Sequence, residues 1–136
     1  MKTICYISNF ASHLTDTMVD HLLEQVNTKN SRENITGILI IKNEHFFQVM
    51  EGESKKIDAL YHKIKLDERH TGLIKLLDTN IESRIFEDYN SGEFEIFKNY
   101  SDYKKLLLYF KWIENANYLP AENLIQLTKN FLKQNT

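Results

Sequence analysis

The hydrophobic period of this chain switches between two and about 3.6 residues in an order that few folds satisfy. "KTICYIS" alternates, with Ile4, Tyr6 and Ser8 on one side and Cys5 and Ile7 on the other, which predicts a first strand. From Thr15 to Asn30, Met18, Leu22 and Val26 recur every fourth position with Leu23 beside them, predicting a helix with one core-facing stripe. Thr15 is placed to cap that helix and Asp16 suits its first turn. "ITGILIIKN" and "EHFFQVMEG" are apolar runs joined around Asn43, which predicts a hairpin. Ser54 is placed to cap a second helix, in which Ile57, Leu60, Tyr61 and Ile64 fall at helical spacing. "GLIKLLDTNIES" and "GEFEIF" supply a fourth and a fifth strand, so the order is βαββαββ.

Two helices follow. Tyr103, Leu106, Leu107 and Phe110 form a stripe on the first; Leu124, Leu127 and Phe131 form one on the last, which Pro120 opens. With right-handed crossovers this order predicts an α+β fold: a ferredoxin-like βαββαββ sandwich with two additional C-terminal helices. Strands one and three lie side by side in such a sheet. Helices one and two cover one face, and the apolar residues Cys5, Ile7, Phe47 and Val49 require a cover on the other. The C-terminal helices are the available cover. Residues 1–97 are therefore read as the ligand-binding part and 98–136 as a helical cap within the same globular unit.

Gln48 interrupts an apolar strand, between Phe47 and Val49. Strand parity turns Tyr6 and Gln48 toward helices one and two as neighbours on adjacent strands. A buried amide left unpaired costs about 1–3 kcal/mol, and Tyr6 can satisfy only one of its groups. Asn30, at the end of helix one, brings a second carboxamide to the same region. Leu22 and Ile64 frame the space, one from each helix. A slot with apolar walls and a polar end suits a flat heteroaromatic ring with carbonyl and N–H edges.

These residues resemble the BLUF family of flavin-dependent blue-light sensors. The likeness runs from about Lys2 to Phe94 and rests on "CYIS", the N-x-R-x-x-ITG stretch from Asn30 to Gly37, "FFQVMEG", "DALYHKIKLDERH" and "IESRIFEDY", in the family's order and spacing. The resemblance implies FAD held between helices one and two. It implies that Tyr6 is the photoactive tyrosine, that Gln48 bridges it to the flavin, and that Asn30 bonds the ring's carbonyl edge. It places Leu22 and Ile64 on the two ring faces, and Lys63, Asp67, Arg69 and His70 near the ribityl and phosphate portion. It further implies light-driven electron and proton transfer from tyrosine to flavin. Rotation or tautomerisation of the glutamine then red-shifts absorption until the state relaxes in the dark. No substrate is turned over, so no enzyme activity is expected.

The chain departs from the family where many members carry Trp, a small residue and Met; here Tyr89, Asn90 and Ser91 stand. The resemblance makes Tyr89 and Ser91 the signal-relay positions, implies an altered relay at Ser91, and makes Tyr89 a competing electron donor. Trp112 is not a counterpart of the family tryptophan. A second reading follows from the same departures: a non-photoactive flavin-binding or protein-interaction module of the same fold. An acylphosphatase-type enzyme ranks last, because no phosphate-cradling loop with an Arg is found.

Composition bounds the rest. A formal net charge of -2 gives no pull toward nucleic acid or an anionic membrane. Apolar runs are too short to span a bilayer. The start of the chain shows no secretory signal, and one cysteine, Cys5, fits a reducing cytoplasm. The five histidines show no metal-ligand spacing, and neither GxGxxG nor GxxxxGK[ST] occurs. Leu108 with Trp112, and Ile125 with Leu132, form second stripes on the last two helices. They predict either wide burial or a surface for self-association or a partner. A chain of this length with no effector domain is expected to signal through another protein or through its own assembly.

Overall fold

A computed structural model describes residues 1–87 and 94–134. The described elements are β1 (Lys2–Phe10), α1 (Asp16–Arg32), β2 (Thr36–Lys42), β3 (His45–Gly52), α2 (Ser54–Lys65), β4 (His70–Asn80), β5 (Glu95–Phe97), α3 (Tyr100–Ile113) and α4 (Leu119–Gln134). They form one five-stranded sheet in the order β4-β1-β3-β2-β5. The first four strands pair antiparallel and β5 runs parallel to β2. This is the ferredoxin-like α+β arrangement that the alternation of periods predicts, extended by one strand at the β2 edge.

Local chemistry explains the joints. Thr15 caps α1 by accepting the Met18 N–H, and Asn99 caps α3 by accepting the Asp102 N–H. Asn43 and Glu44 both have positive φ, which suits a two-residue type I′ hairpin turn between β2 and β3. Ser54 is not the cap of α2. The helix begins at Ser54, and the preceding Glu53 makes no side-chain capping bond. The pairing of β1 with β4 shifts register beside Tyr6 and again near Gly72, whose positive φ accommodates the irregularity.

The sheet separates two unlike layers. Cys5, Ile38, Ile40, Phe47 and Val49 pack against Leu106 and Phe110 of α3 and Leu124 and Phe131 of α4 in one continuous cluster. The other face is divided. Ile4, Tyr6, Met50 and Ile57 cluster beneath α2, whereas Val19, Leu23, Leu39 and Phe46 cluster beneath α1. The buried stripe of α1 is therefore Val19 and Leu23, one residue on from the expected Met18–Leu22–Val26 stripe. Leu22 and Val26 are only half-buried because they look into the space between the two clusters. Of the second stripes, Ile125 and Leu132 are buried in the core, whereas Leu108 and Trp112 are exposed by 59% and 81%.

Candidate functional site

An open cleft of about 770 Å³ lies between α1 and α2 over the sheet, within the range of small-molecule sites. Its floor is set by strand register. Tyr6 stands directly opposite Gln48 on β3, and Gln48 opposite Leu39 on β2. The Tyr6 hydroxyl donates to Gln48 Oε1, with both side chains buried. Burial pushes the phenol's pKa well above its ordinary value, and the negative charge of Asp67 adds to the effect. Tyr6 is therefore neutral at any physiological pH, and a proton must leave if the ring is oxidised. Gln48 Nε2 has no protein partner among the described residues, so the amide keeps its donor end available.

Asn30 enters from the last turn of α1 and is only 2% exposed. Its Nδ2 is a buried donor with no partner among the described residues. Such a group costs about 1–3 kcal/mol unless something accepts from it. The walls are aliphatic: Leu22 and Val26 from α1, Leu60 and Ile64 from α2. The buried, unsatisfied Asn30 donor and the Gln48 amide at one end of an apolar slot match a planar ring that presents carbonyl oxygens on one edge.

Every residue that the sequence singled out for binding lines this cleft: Tyr6, Leu22, Asn30, Gln48, Lys63, Ile64, Asp67, Arg69 and His70. Their engagements differ. Arg69 Nε and Nη2 donate to the Asp67 carboxylate, with Nη2 to Oδ2 at 2.6 Å, while Nη1 reaches Gln25 Oε1 at 2.9 Å. The turn after α2 is thereby tied to α1. The Arg69 side chain, with its backbone N–H, holds the Asp67 carboxyl below its ordinary pKa against the opposing effect of burial. His70 places Nδ1 2.8 Å from Ser8 Oγ and Nε2 2.6 Å from the Ile64 carbonyl oxygen. Since that carbonyl can only accept, Nε2 carries a proton. His70 thus ties the Ile64 wall to β1, two residues beyond Tyr6.

Lys63 is different: like Lys29 and Arg32 at the α1 end of the cleft, its side chain forms no ion pair among the described residues. Sequence reasoning passed over Gln25, Lys29 and Arg32. A signal was available, because Gln25, Val26 and Lys29 follow Leu22 at i+3, i+4 and i+7 and so share its face. The relay positions Tyr89 and Ser91 lie outside the described residues.

A ferredoxin-like sandwich whose helices part over a Tyr–Gln pair defines a class of cofactor-binding sensor modules. Residues 1–92 match the family model for BLUF, sensors of blue light using FAD. The chain belongs to the BLUF family, and its cofactor is FAD. The blue light- and temperature-regulated antirepressor BluF of Escherichia coli (strain K12) is 28% identical over 86 residues, which are 63% of this chain and 21% of that protein. Photoactivated adenylate cyclase subunit alpha of Euglena gracilis is 26% identical over 131 residues, 93% of this chain and 13% of that protein. The chain thus spans about a fifth or less of the length of these curated relatives. The solved BLUF structure of BlrP1 superposes with a TM-score of 0.75 at 22% identity, covering 96% of this chain and 88% of that one, and supports the fold. Among the described residues no helix is long and apolar enough to cross a membrane.

Proposed function

We propose that this chain senses blue light through Tyr6 and Gln48. The observation that carries the reading is the Tyr6–Gln48 hydrogen bond on the cleft floor, beside the unpartnered Asn30 Nδ2. Asn30 and Gln48 would donate to the ring's polar edge, and Leu22 and Ile64 would cover its two faces. Lys63, with Lys29 and Arg32, would meet the phosphate portion; Asp67, Arg69 and His70 hold the walls that would flank it. When bound, the flavin supplies blue-light absorption and an electron acceptor. On oxidation, Tyr6 would pass its proton along the bond to Gln48 Oε1. Gln48 then rotates or tautomerises, which exchanges donor for acceptor at nearly constant volume. Tyr6 would end the cycle neutral and protonated, so the change is confined to Gln48 and its hydrogen bonds. Two arrangements of similar energy and shape make a switch that relaxes thermally.

Residues 1–97 serve as the flavin-binding part and 98–136 as the cap of the same unit. The output passes to a protein partner or to a change of homo-oligomeric state, and the exposed Leu108 and Trp112 are the surface on which either would act. Sedimentation in dark and light, alone and with candidate partners, separates these routes.

Absorption spectra before and after blue light test the sensor reading. A reversible red shift that decays in the dark is the expected outcome. A yellow protein with no shift would leave the non-photoactive module as the better account. A colourless protein that stays colourless with added FAD would defeat both.

Asn30→Leu gives a second test. It removes a buried donor that nothing among the described residues satisfies, so the flavin-free protein should melt at the wild-type temperature or above. FAD affinity should fall about 10- to 100-fold, the worth of one or two buried hydrogen bonds. Unchanged affinity in a flavin titration would remove Asn30 from the site.

A further inference from the structure

Glu51 stands three residues after Gln48 on β3, and strand alternation turns it to the opposite face of the sheet. It is a fully buried carboxylate. Oε1 accepts the Phe86 N–H at 2.7 Å and the Thr36 hydroxyl at 2.8 Å; Oε2 accepts the Ile85 N–H at 2.8 Å. Arg84 Nη1 donates to Thr36 Oγ1 at 2.9 Å and so braces the same group from the loop side. The connection between β4 and β5 is thereby fastened to the strand that carries Gln48. Burial raises the Glu51 pKa while these donors oppose the rise. Both oxygens accept N–H bonds, which is the pattern of the ionised form.

The same peptide is gripped from the other side. Tyr109 of α3 donates its hydroxyl to the Ile85 carbonyl at 2.6 Å. Phe86, fully buried, stacks on the Tyr109 ring at 6.2 Å and meets Phe110 edge-on. Ile85 is therefore bonded through its N–H to β3 and through its C=O to α3. Leu108 and Trp112, the exposed apolar residues of α3, flank Tyr109 at i-1 and i+3.

We propose that Glu51 and Tyr109, joined through the Ile85–Phe86 peptide, carry a displacement of β3 to the exposed face of α3. This inference rests on the photoreceptor reading for its input at Gln48; the link itself does not. A displacement of β3 along its length moves Glu51 with Gln48. The Glu51 carboxylate pulls the Ile85–Phe86 peptide, and the Tyr109 hydroxyl and stacked ring pass the motion to α3. The route uses described residues. A coupling claim of this kind stands or falls on non-additivity.

Trp112 is the single tryptophan of the chain, so its fluorescence reports on α3. The test uses the full chain loaded with FAD: wild type, Glu51→Gln, Tyr109→Phe and the double variant. Glu51→Gln turns an amide N–H2 toward donors. Tyr109→Phe keeps the ring stack and removes the hydroxyl that bonds Ile85, which makes it the gentler change. Both single variants should keep the reversible red shift and lose most of the light-induced change in Trp112 emission. In the dark, amide exchange at Ile85 and Phe86 should speed up about tenfold in each single variant, the loss of one strong hydrogen bond. The double variant should exchange little faster than either.

A wild-type Trp112 response in either single variant, or multiplicative exchange rates in the double variant, would overturn the proposal. Absence of the red shift in wild type would count against the photoreceptor reading alone. The dark exchange cycle would then decide the Glu51–Tyr109 link by itself.

Discussion

Gln48→Leu is expected to yield a folded, yellow, FAD-binding protein that shows no reversible red shift under blue light. Leucine is close to glutamine in volume, and its neighbours Phe47 and Val49 already lie in a buried strand. The change removes the only side-chain partner of the Tyr6 hydroxyl among the described residues. An orphaned buried phenol costs about 1–3 kcal/mol, a loss that a stable domain survives. Photochemistry is affected differently. Tyr6 still sits on the cleft floor, but the proton it must release has lost the acceptor at Gln48 Oε1. No amide remains to exchange donor for acceptor. The effect is thus all-or-none in the difference spectrum, with a fall of roughly 3–15 °C in the melting temperature. The measurement is a dark-minus-light absorption series on flavin-loaded variant and wild type. A red shift of normal size in Gln48→Leu would remove Gln48 from the switch and with it the proposed mechanism.

Much of that expectation is legible in the sequence. Tyr6 and Gln48 are 42 positions apart in the chain, yet two facts put them together: the ferredoxin-like order makes β1 and β3 neighbours, and the two-residue period fixes which side chains share a face. Strand parity is robust because a one-residue slip would turn Gln48 into the core beneath α3 and α4 and Phe47 and Val49 out of it. Helix phase was less legible. The i, i+4 spacing of Met18, Leu22 and Val26 was read as the core stripe, whereas Val19 and Leu23 are the buried pair. The reason is physical: a helix that borders a ligand cleft has an apolar face broader than its protein-facing stripe. Leu22 and Val26 belong to the cleft side of that face.

Glu51 was not legible as a latch. A carboxylate at the end of a strand reads as a solvated terminus, and only the tertiary structure shows three donors converging on it. The polar set Asp67, Arg69 and His70 was found by position. Its internal pairing, which ties the walls together, depends on rotamers that no periodicity encodes.

The largest loss of stability is expected from Gly37→Ala, at a site remote in sequence from Gln48 but adjacent in the sheet. Gly37 pairs with Met50 and has φ of +144°, a conformation that side-chain-bearing residues rarely adopt. A Cβ there would lie 2.0 Å from the Val49 carbonyl oxygen and 2.9 Å from its carbon. Both are backbone atoms of β3, so no rotamer change relieves the overlap. Either β2 moves away, breaking ladder bonds on both sides of Val49, or Gly37 changes φ and loses register with Met50. Backbone strain of this kind costs about 1–3 kcal/mol, and the ladder bonds lost with it about 1 kcal/mol each. Together they approach about 4 kcal/mol, a large share of the 5–15 kcal/mol that holds a typical domain together. The melting temperature should fall by roughly 10–25 °C, and retained flavin should fall with it. Gly52→Ala supplies the control, since its Cβ would meet nothing nearer than 3.4 Å. It should melt within a few degrees of wild type. If Gly37→Ala melts as the control does, then β2 does not lie against β3 at this distance. The register that sets Leu39 opposite Gln48, and with it the floor of the cleft, would have to be redrawn.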